Sequence, residues 1–421
     1  MQRILSSEIT LHVGEKVQVA GWIHRRRELK SVAFLILRDR AGLAQIVVSE
    51  PATRDQLREL PEETVVEVIG VVSANPSAPG GVEIIDPHLE PLTEPAAAAP
   101  FDLFRPELTA SLPTILDYAP VALRHPSLRR AAVLSAQAVA GFRSTLDGLG
   151  FTAIHTPKIV ASATESGANV FALDYFGTPA YLAQSPQFYK QMMVGVLERV
   201  YEVGPVFRAE PHETGRHLAQ YTSLDVELGF IRDHFDVMAI ARDVVAGMVA
   251  ATGLDAAIPA EIPWVHFADA VEMVGAALGE DLSGEPDLAP AHERWLGDWA
   301  LREHGSDFVF VTGYPMVKRP FYTHPEPGRE AYSNSFDLIF RGLELATGGQ
   351  RLHRYSDYAA ALAARGESTA AYESYLRAFA HGMPPHGGFA IGLERFVARL
   401  TGAANVRTTT LFPRDRYRVT P

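Results

Sequence analysis

Residues 91–100 read PLTEPAAAAP, and this run decides how the rest of the chain can be organised. Three prolines in ten residues deny a helix its N–H donors and a sheet its ladder, and no apolar periodicity crosses the run. The chain is split into an N-terminal piece of about 90 residues and a C-terminal piece of about 300, joined by a connecting stretch that runs to about Pro126. The first piece is a series of short β-rich runs, at 17–24, 33–37, 43–48, 64–72 and 82–85. Gly42 breaks the pattern before the third run, and NPSAPGG (75–81) is a turn before the fifth. Five short strands in this length predict a small β-barrel or a sandwich.

The second piece is mixed. Apolar residues at helical spacing (Val133, Leu134, Phe142, Leu146) predict a helix over 128–149 that ends at Gly150. Residues 186–203 begin as a helix and become strand-like around 199–207. Strands are predicted at 220–231 and 332–346, helices at 233–252 and 357–380, and a Gly-rich strand turning into a helix at 387–400. Strands follow strands without an intervening helix, which favours an antiparallel sheet and an α+β fold.

Composition removes several chemistries. The chain has 421 residues and no cysteine, so disulfides, thiolate zinc sites, iron–sulfur clusters and a cysteine nucleophile are excluded. No uninterrupted apolar run approaches the roughly 18 residues that span a bilayer, and the N-terminus has no apolar core of a secretory signal. The expectation is a soluble, cytoplasmic protein with no membrane partner. A net charge of −12 argues against wholesale coating of nucleic acid but permits a local basic surface.

One such surface is present. Residues 21–40 hold six Lys or Arg against two acids, with Phe34 among them. An aromatic that stacks on a base, beside guanidinium groups that neutralise phosphates, suits single-stranded nucleic acid. A solvated turn with Phe34 in the core is the plainer alternative. Residues 206–217 (VFRAEPHETGRH) place Arg208 and Glu210 on one strand face, since side chains repeat every two residues. A loop then returns Arg216 and His217. Such a hairpin can hold a triphosphate with its cations and a purine edge with its carboxylate, or it can be a surface ion-pair hairpin. Residues 386–395 (HGGFAIGLER) carry Gly388 and Gly392, which permit close backbone approach, and Arg395 at a strand-to-helix junction. Asp337 and Glu344 lie near TGGQR (347–351). Magnesium takes hard oxygen ligands, commonly one or two carboxylates with substrate phosphates, although two acids seven apart also read as salt-bridge partners. In QSPQFYK (184–190), Lys190 stands one turn into a helix, placed for an anion or simply exposed.

Taken together, FRAE…RH, ELATGGQR and HGGFAIGLERF, in this order and at these spacings, resemble the motifs of the class II aminoacyl-tRNA synthetases. The resemblance covers nearly the whole chain. It is closest to the subgroup with an N-terminal OB-fold that serves aspartate, asparagine and lysine. QSPQFYKQ and the terminal LFPRDRYRVTP are similar to aspartyl-tRNA synthetases of the compact archaeal and eukaryotic type.

The resemblance implies an α+β protein: a five-stranded OB-fold barrel for the anticodon over 1–102, a hinge over 103–127, and a class II catalytic domain over 128–421, with an antiparallel sheet flanked by helices. It implies ATP-dependent attachment of L-aspartate to tRNA(Asp) through an aspartyl-adenylate, with Mg2+ as cofactor. Arg208 would bridge the α-phosphate and the substrate carboxylate. Glu210 would face adenine, and Arg216 and His217 the γ-phosphate. Arg395 would hold the γ-phosphate and the adenine face. Glu344, Asp337 and Thr347 would carry magnesium. Lys190 and Arg351 would bind the β-carboxylate with Gln187 nearby, and Glu165 would lie on a loop closing over the amino group. In the barrel, Phe34 would stack on an anticodon base, Gln45 would read a base edge and Arg27 would serve backbone or base. His24 and Pro79 stand where strictly aspartate-specific archaeal enzymes tend to carry bulkier or cationic residues. This implies a relaxed enzyme that also aspartylates tRNA(Asn), whose product a separate amidotransferase converts. Residues 120–130 (PVALRHPSLRR) match the first motif, which forms the dimer interface in this class, so a homodimer is expected. Ala390, Thr347 and Gln220 depart from the commoner residues of the motifs while roughly keeping size or hydrogen bonding. Asparaginyl-tRNA synthetase and a non-catalytic RNA-binding paralogue are the alternatives.

Overall fold

The computed structural model describes residues 1–161, 169–211 and 214–420. They form two units, Met1–Ser127 and Leu128–Pro421. In the first, β1 (Lys16–Glu28), β2 (Ala33–Arg38), β3 (Leu43–Val48), β4 (Val65–Ala74) and β5 (Val82–Pro91) close into a barrel of order β1-β2-β3-β5-β4. Alternation along the strands sends Val17, Val19, Leu35, Leu37, Ile46, Val66, Val68 and Ile84 inward, all buried. Closure leaves no strand edge unpaired. The barrel reading therefore holds over the sandwich. The fifth strand continues past residue 85 to Pro91, which pairs opposite Val66. It follows β4 through an irregularity at Gly70, where a Cβ would collide with Ile84 and the Ile85 carbonyl.

Helix α1 (Pro51–Arg58) plugs the barrel with Leu57, an element that its short and weakly apolar sequence does not announce. Residues 103–127 fold with this unit. The Glu63 carboxylate accepts two bonds from Arg38 at 2.8 Å and one from Arg124 at 2.9 Å.

The second unit is built on an eight-stranded sheet. In chain order its strands are β6 (Thr152–Ala153), β7 (Arg199–Phe207), β8 (Gln220–Gly229), β9 (Trp264–His266), β10 (Phe308–Thr312), β11 (Ser335–Phe340), β12 (Leu343–Gln350) and β13 (His386–Gly392). The spatial order is β9-β10-β11-β12-β13-β8-β7-β6. All neighbours are antiparallel except β9 with β10 and β7 with β6. The antiparallel expectation is right for the central six, and short parallel strands finish both edges. Helices α2 (Pro126–Gly148) and α4 (His234–Thr252) supply Phe142, Leu146, Val244 and Met248 to the main core, against Phe310, Phe336 and Phe389 of the sheet. They approach closely because Gly141 meets the Gly247 backbone, where neither has room for a Cβ.

Helix α3 (Gln187–Leu197) runs directly into β7. Between β9 and β10 lie α5 (Phe267–Leu278) and α6 (Pro290–His304), in a stretch to which no element was assigned above. The expected helix over 357–380 is broken into α7 (Tyr355–Ala364) and α8 (Glu373–Ala380), with Gly366 at φ +70° between them. Helix α9 (Leu393–Thr401) follows β13 without a gap. Among the described residues no helix is long and apolar enough to cross a membrane.

Candidate active site

The cavity that matters opens over β8, β12 and β13 and measures about 410 Å³. Gln187, Lys190, Arg208, Glu210, Arg216, His217, Glu344, Thr347, Arg351 and Arg395 all line it. These residues come from segments more than 200 positions apart. Glu165 lies outside the described residues.

At one end, Lys190 projects from the first turn of α3, 1% exposed. Its Nζ is 3.0 Å from Asp225 Oδ1 and 3.3 Å from Glu227 Oε2. Arg351 follows β12. Its Nε donates to Glu227 Oε1 at 3.0 Å and its Nη2 to the Gly388 carbonyl at 3.0 Å. Two cations thus meet on one fully buried carboxylate. Burial pushes the Glu227 carboxyl up, but Arg351 and Lys190 outweigh it and hold it below its ordinary value. Gly388 is required here, because a Cβ would run into the Glu227 carboxylate and the Val226 carbonyl. The sequence reading missed Asp225 and Glu227. Their signal was two acids two apart, each flanked by apolar residues in LDVEL, which places both on one face of β8.

Behind them sits a neutral polar network. Gln191 accepts from Gln187 and from the Tyr375 hydroxyl, each at 3.0 Å, and donates to Tyr358 at 3.1 Å. His386 Nε2 is 3.0 Å from Gln191 Nε2 and its Nδ1 is 2.9 Å from the Pro384 carbonyl. Burial pushes the His386 pKa down to about 4, so the ring is neutral at pH 7. It donates from Nδ1 and accepts at Nε2.

At the other end are the arginines. Strand β7 ends at Phe207, so Arg208 and Glu210 are not on a strand as expected. The chain still brings them together, 3.9 Å apart, with the Arg208 guanidinium 5.7 Å from the Tyr221 ring centre. Arg216 reaches Glu293 at 3.5 Å, and His217 hydrogen-bonds Thr214. Arg395, in the first turn of α9, donates to the Glu344 carbonyl at 3.2 Å and lies 3.6 Å from its carboxylate.

Asp337 and Thr347 face each other across β11 and β12. Thr347 donates to Glu344 at 3.2 Å, and Arg319 to Asp337 at 3.0 Å. Burial lifts the Asp337 carboxyl to about 6 against the pull of Arg319. Enclosure also acts to raise Glu344, but Arg395 and Arg319 outweigh it and hold that carboxyl below its usual range. Among the described residues no group of three or more acids or histidines forms a complete metal cage. Two carboxylates and a hydroxyl within reach of each other are, however, the hard-oxygen set that shares a small divalent ion with phosphates.

In the barrel, Arg27 pairs with Phe34, Phe34 with Val47, and Ile36 with Gln45. Phe34 and Gln45 share the outer face of β2 and β3, where both are part-exposed. Gln45 Nε2 donates to Glu83 at 3.0 Å, and Pro79 is exposed in the turn before β5. The structure does not bring His24 to that face. A bulge between Ile23 and Arg25 turns it inward, 9% exposed, and burial lowers its pKa.

Comparison with known proteins follows the same division. Residues 111–416 match the family described as tRNA synthetases class II (D, K and N), and residues 17–92 match the OB-fold nucleic acid binding domain. The chain is 45% identical to an aspartate–tRNA(Asp/Asn) ligase of Deinococcus radiodurans, over 100% of this chain and 99% of the relative. It is 44% identical to the enzyme of that name from Thermus thermophilus, over the full length of both. Among solved structures it resembles asparaginyl-tRNA synthetase from Pyrococcus horikoshii complexed with asparaginyl-adenylate. That match has a TM-score of 0.93 and 29% identity over the full length of both chains. A putative aspartyl-tRNA synthetase from Leishmania major gives a TM-score of 0.89 and 27% identity, covering 100% of this chain and 95% of that one. The fold, the cleft and its arginines, and the full-length likeness agree: the chain belongs to the class II aminoacyl-tRNA synthetases of the aspartate, lysine and asparagine group.

Proposed function

We propose that the protein is an aspartate–tRNA ligase that activates L-aspartate with ATP and transfers it to tRNA(Asp) and tRNA(Asn). The observation that carries this reading is the meeting of Lys190 and Arg351 on Glu227 at the closed end of the cleft, opposite Arg208 and Arg395. In the first step an oxygen of the aspartate α-carboxylate attacks the α-phosphorus of ATP. The bond to the bridging oxygen breaks, and pyrophosphate leaves with its electron pair. In the second, a ribose hydroxyl of the tRNA terminus attacks the acyl carbon and AMP departs. No protein nucleophile is needed, so the residues act by position and charge. Arg208 spans the α-phosphate and the carboxylate that attacks it. Glu210 takes the adenine edge, Arg216 and His217 the γ-phosphate side, and Arg395 the γ-phosphate and the adenine face. Asp337, Glu344 and Thr347 are the residues that would hold magnesium, which when bound supplies positive charge to the phosphates.

Lys190 and Arg351 receive the β-carboxylate, with Gln187 beside it. An asparagine amide would offer those cations a neutral oxygen in place of an anion, and would turn its NH2 donors toward the Lys190 and Arg351 donors. Polar mismatches of that kind are worth on the order of 10⁴ in selectivity. The test is ATP–pyrophosphate exchange with either amino acid. Aspartate should win by at least about 10³ in kcat/KM, and an equal or greater rate with asparagine refutes the assignment.

The barrel, over 1–102, takes the anticodon with Phe34, Gln45 and Arg27. Relaxed tRNA choice is supported by the small Pro79 in the exposed turn and by the names of the two relatives. A pure tRNA(Asn) transcript should accept aspartate with kcat/KM within about tenfold of tRNA(Asp), a gap of no more than about 1.4 kcal/mol. No charging at high enzyme concentration removes this part. The product on tRNA(Asn) then requires an amidotransferase. Residues 120–130, which lead into α2, are proposed as the contact of a cytoplasmic homodimer.

A further inference from the structure

Glu344 stands at an irregularity in β12. Leu338 opposes Ala346 while Ile339 opposes Glu344, so Leu345 is left over. A bulge of this kind takes main-chain groups out of the ladder and re-aims a side chain. Both main-chain groups of Glu344 are met by side chains. Its N–H donates to Glu293 Oε2 at 2.9 Å, and its carbonyl accepts from Arg395 at 3.2 Å.

Glu293 lies in the first turn of α6, 5% exposed, and does not line the cavity. Its helix packs closely against the turn between β11 and β12. A Cβ on Gly297 would strike the Gly342 backbone, and Gly342, at φ +73°, makes the turn between β11 and β12. The charged groups around Glu293 are Glu344, Arg216, Arg395 and Arg399. Burial pushes its carboxyl above the ordinary value; the hydrogen bond from the Glu344 N–H pulls it down, the Glu344 charge pushes it up, and Arg216 and Arg395 pull it down.

We propose that Glu293 is a positioning residue of the nucleotide–magnesium end of the site: its carboxylate secures the bulged backbone of Glu344, and so the aim of the Glu344 side chain, without touching substrate. The proposal rests on the reading of Glu344 given above. Groups that orient a metal-facing ligand from behind commonly govern its affinity by 10- to 100-fold, an order-of-magnitude range.

The test is calorimetric titration of the whole protein with ATP, once with magnesium and once with EDTA. In the unmodified protein magnesium should tighten ATP binding. Glu293→Ala should weaken binding of the magnesium complex by about tenfold, with ATP in EDTA and the KM for aspartate changed by less than about twofold. Glu293→Gln keeps an oxygen for the Glu344 N–H and should stay within about threefold of the unmodified protein. If Glu293→Ala does not fold, Glu293→Asp should show the same selective loss, because its oxygen is drawn back by one methylene. The proposal is overturned if magnesium gives no gain in the unmodified protein, or if the gain survives in Glu293→Ala. Equal weakening with and without magnesium also overturns it, as does a Gln variant as impaired as the Ala variant. ATP binding without any aspartate-dependent exchange would refute the proposed activity and leave this inference standing.

Discussion

Lys190→Leu should abolish aspartate-dependent ATP–pyrophosphate exchange while the protein still binds ATP. The leucine keeps α3 apolar and helical but removes the cation that sits 3.0 Å from Asp225 and 3.3 Å from Glu227. The β-carboxylate then loses one of its two cations and faces two buried acids. Removing one partner of a buried ion pair also costs stability, about 3–5 kcal/mol, so the melting temperature should fall as well. Arg351→Leu separates the two effects, since Arg351 donates to Glu227, which keeps Lys190 beside it at 3.3 Å when the arginine is removed. It should abolish exchange in the same way with a smaller loss of stability. Near-normal exchange in either folded variant would refute the role given to these cations.

The second large effect is expected at Arg208. Arg208→Ala should lower kcat for adenylate formation by on the order of 10²–10³, the usual loss when one preorganised donor to a developing charge is removed. Arg208 is part-exposed at the mouth of the cleft, its side chain at 35%, so the protein should fold and melt normally. Single-turnover formation of the adenylate is the measurement. A change confined to the KM for ATP would mean that Arg208 only holds the nucleotide and does not act on the reacting phosphate.

Much of the architecture was legible because short strands and turn residues carry local signals. The run at 43–48 coincides with β3, and the long helix predicted over 128–149 is α2 within two residues at its start. The stretch holding α5, α6 and β10 was not legible. Its strands are short, three residues in β9 and five in β10, and the partner strand β11 comes only after a further loop. The helix expected over 357–380 failed at Gly366, a single glycine in the left-handed region that ended one helix before the next began.

At the site, the motif arginines and Lys190 stood out as charges among conspicuous glycines, and the cleft gathers them. Their acidic partners did not stand out. Asp225 and Glu227 look like an ordinary alternating pair until β8 is seen to run between β7 and β13 with both side chains on the cavity face. Glu293 lies in the stretch to which no element was assigned from the sequence. His24 was misplaced because the bulge after Ile23 reverses the face that alternation assigns.

The four charges at the closed end of the cleft also bear on how such a pocket can change its preference over evolutionary time. Lys190 and Arg351 are balanced by Asp225 and Glu227, so the formal charges of these four cancel. A lineage drifting toward a neutral amino acid cannot simply discard a cation, because each single loss strands an anion in the interior. Opposite charges would have to be lost together, Lys190 with Asp225 for example, because a single loss from a buried pair is costly to stability. On the function proposed above, the pocket's preference for an acidic side chain would be guarded by stability as much as by selection on product.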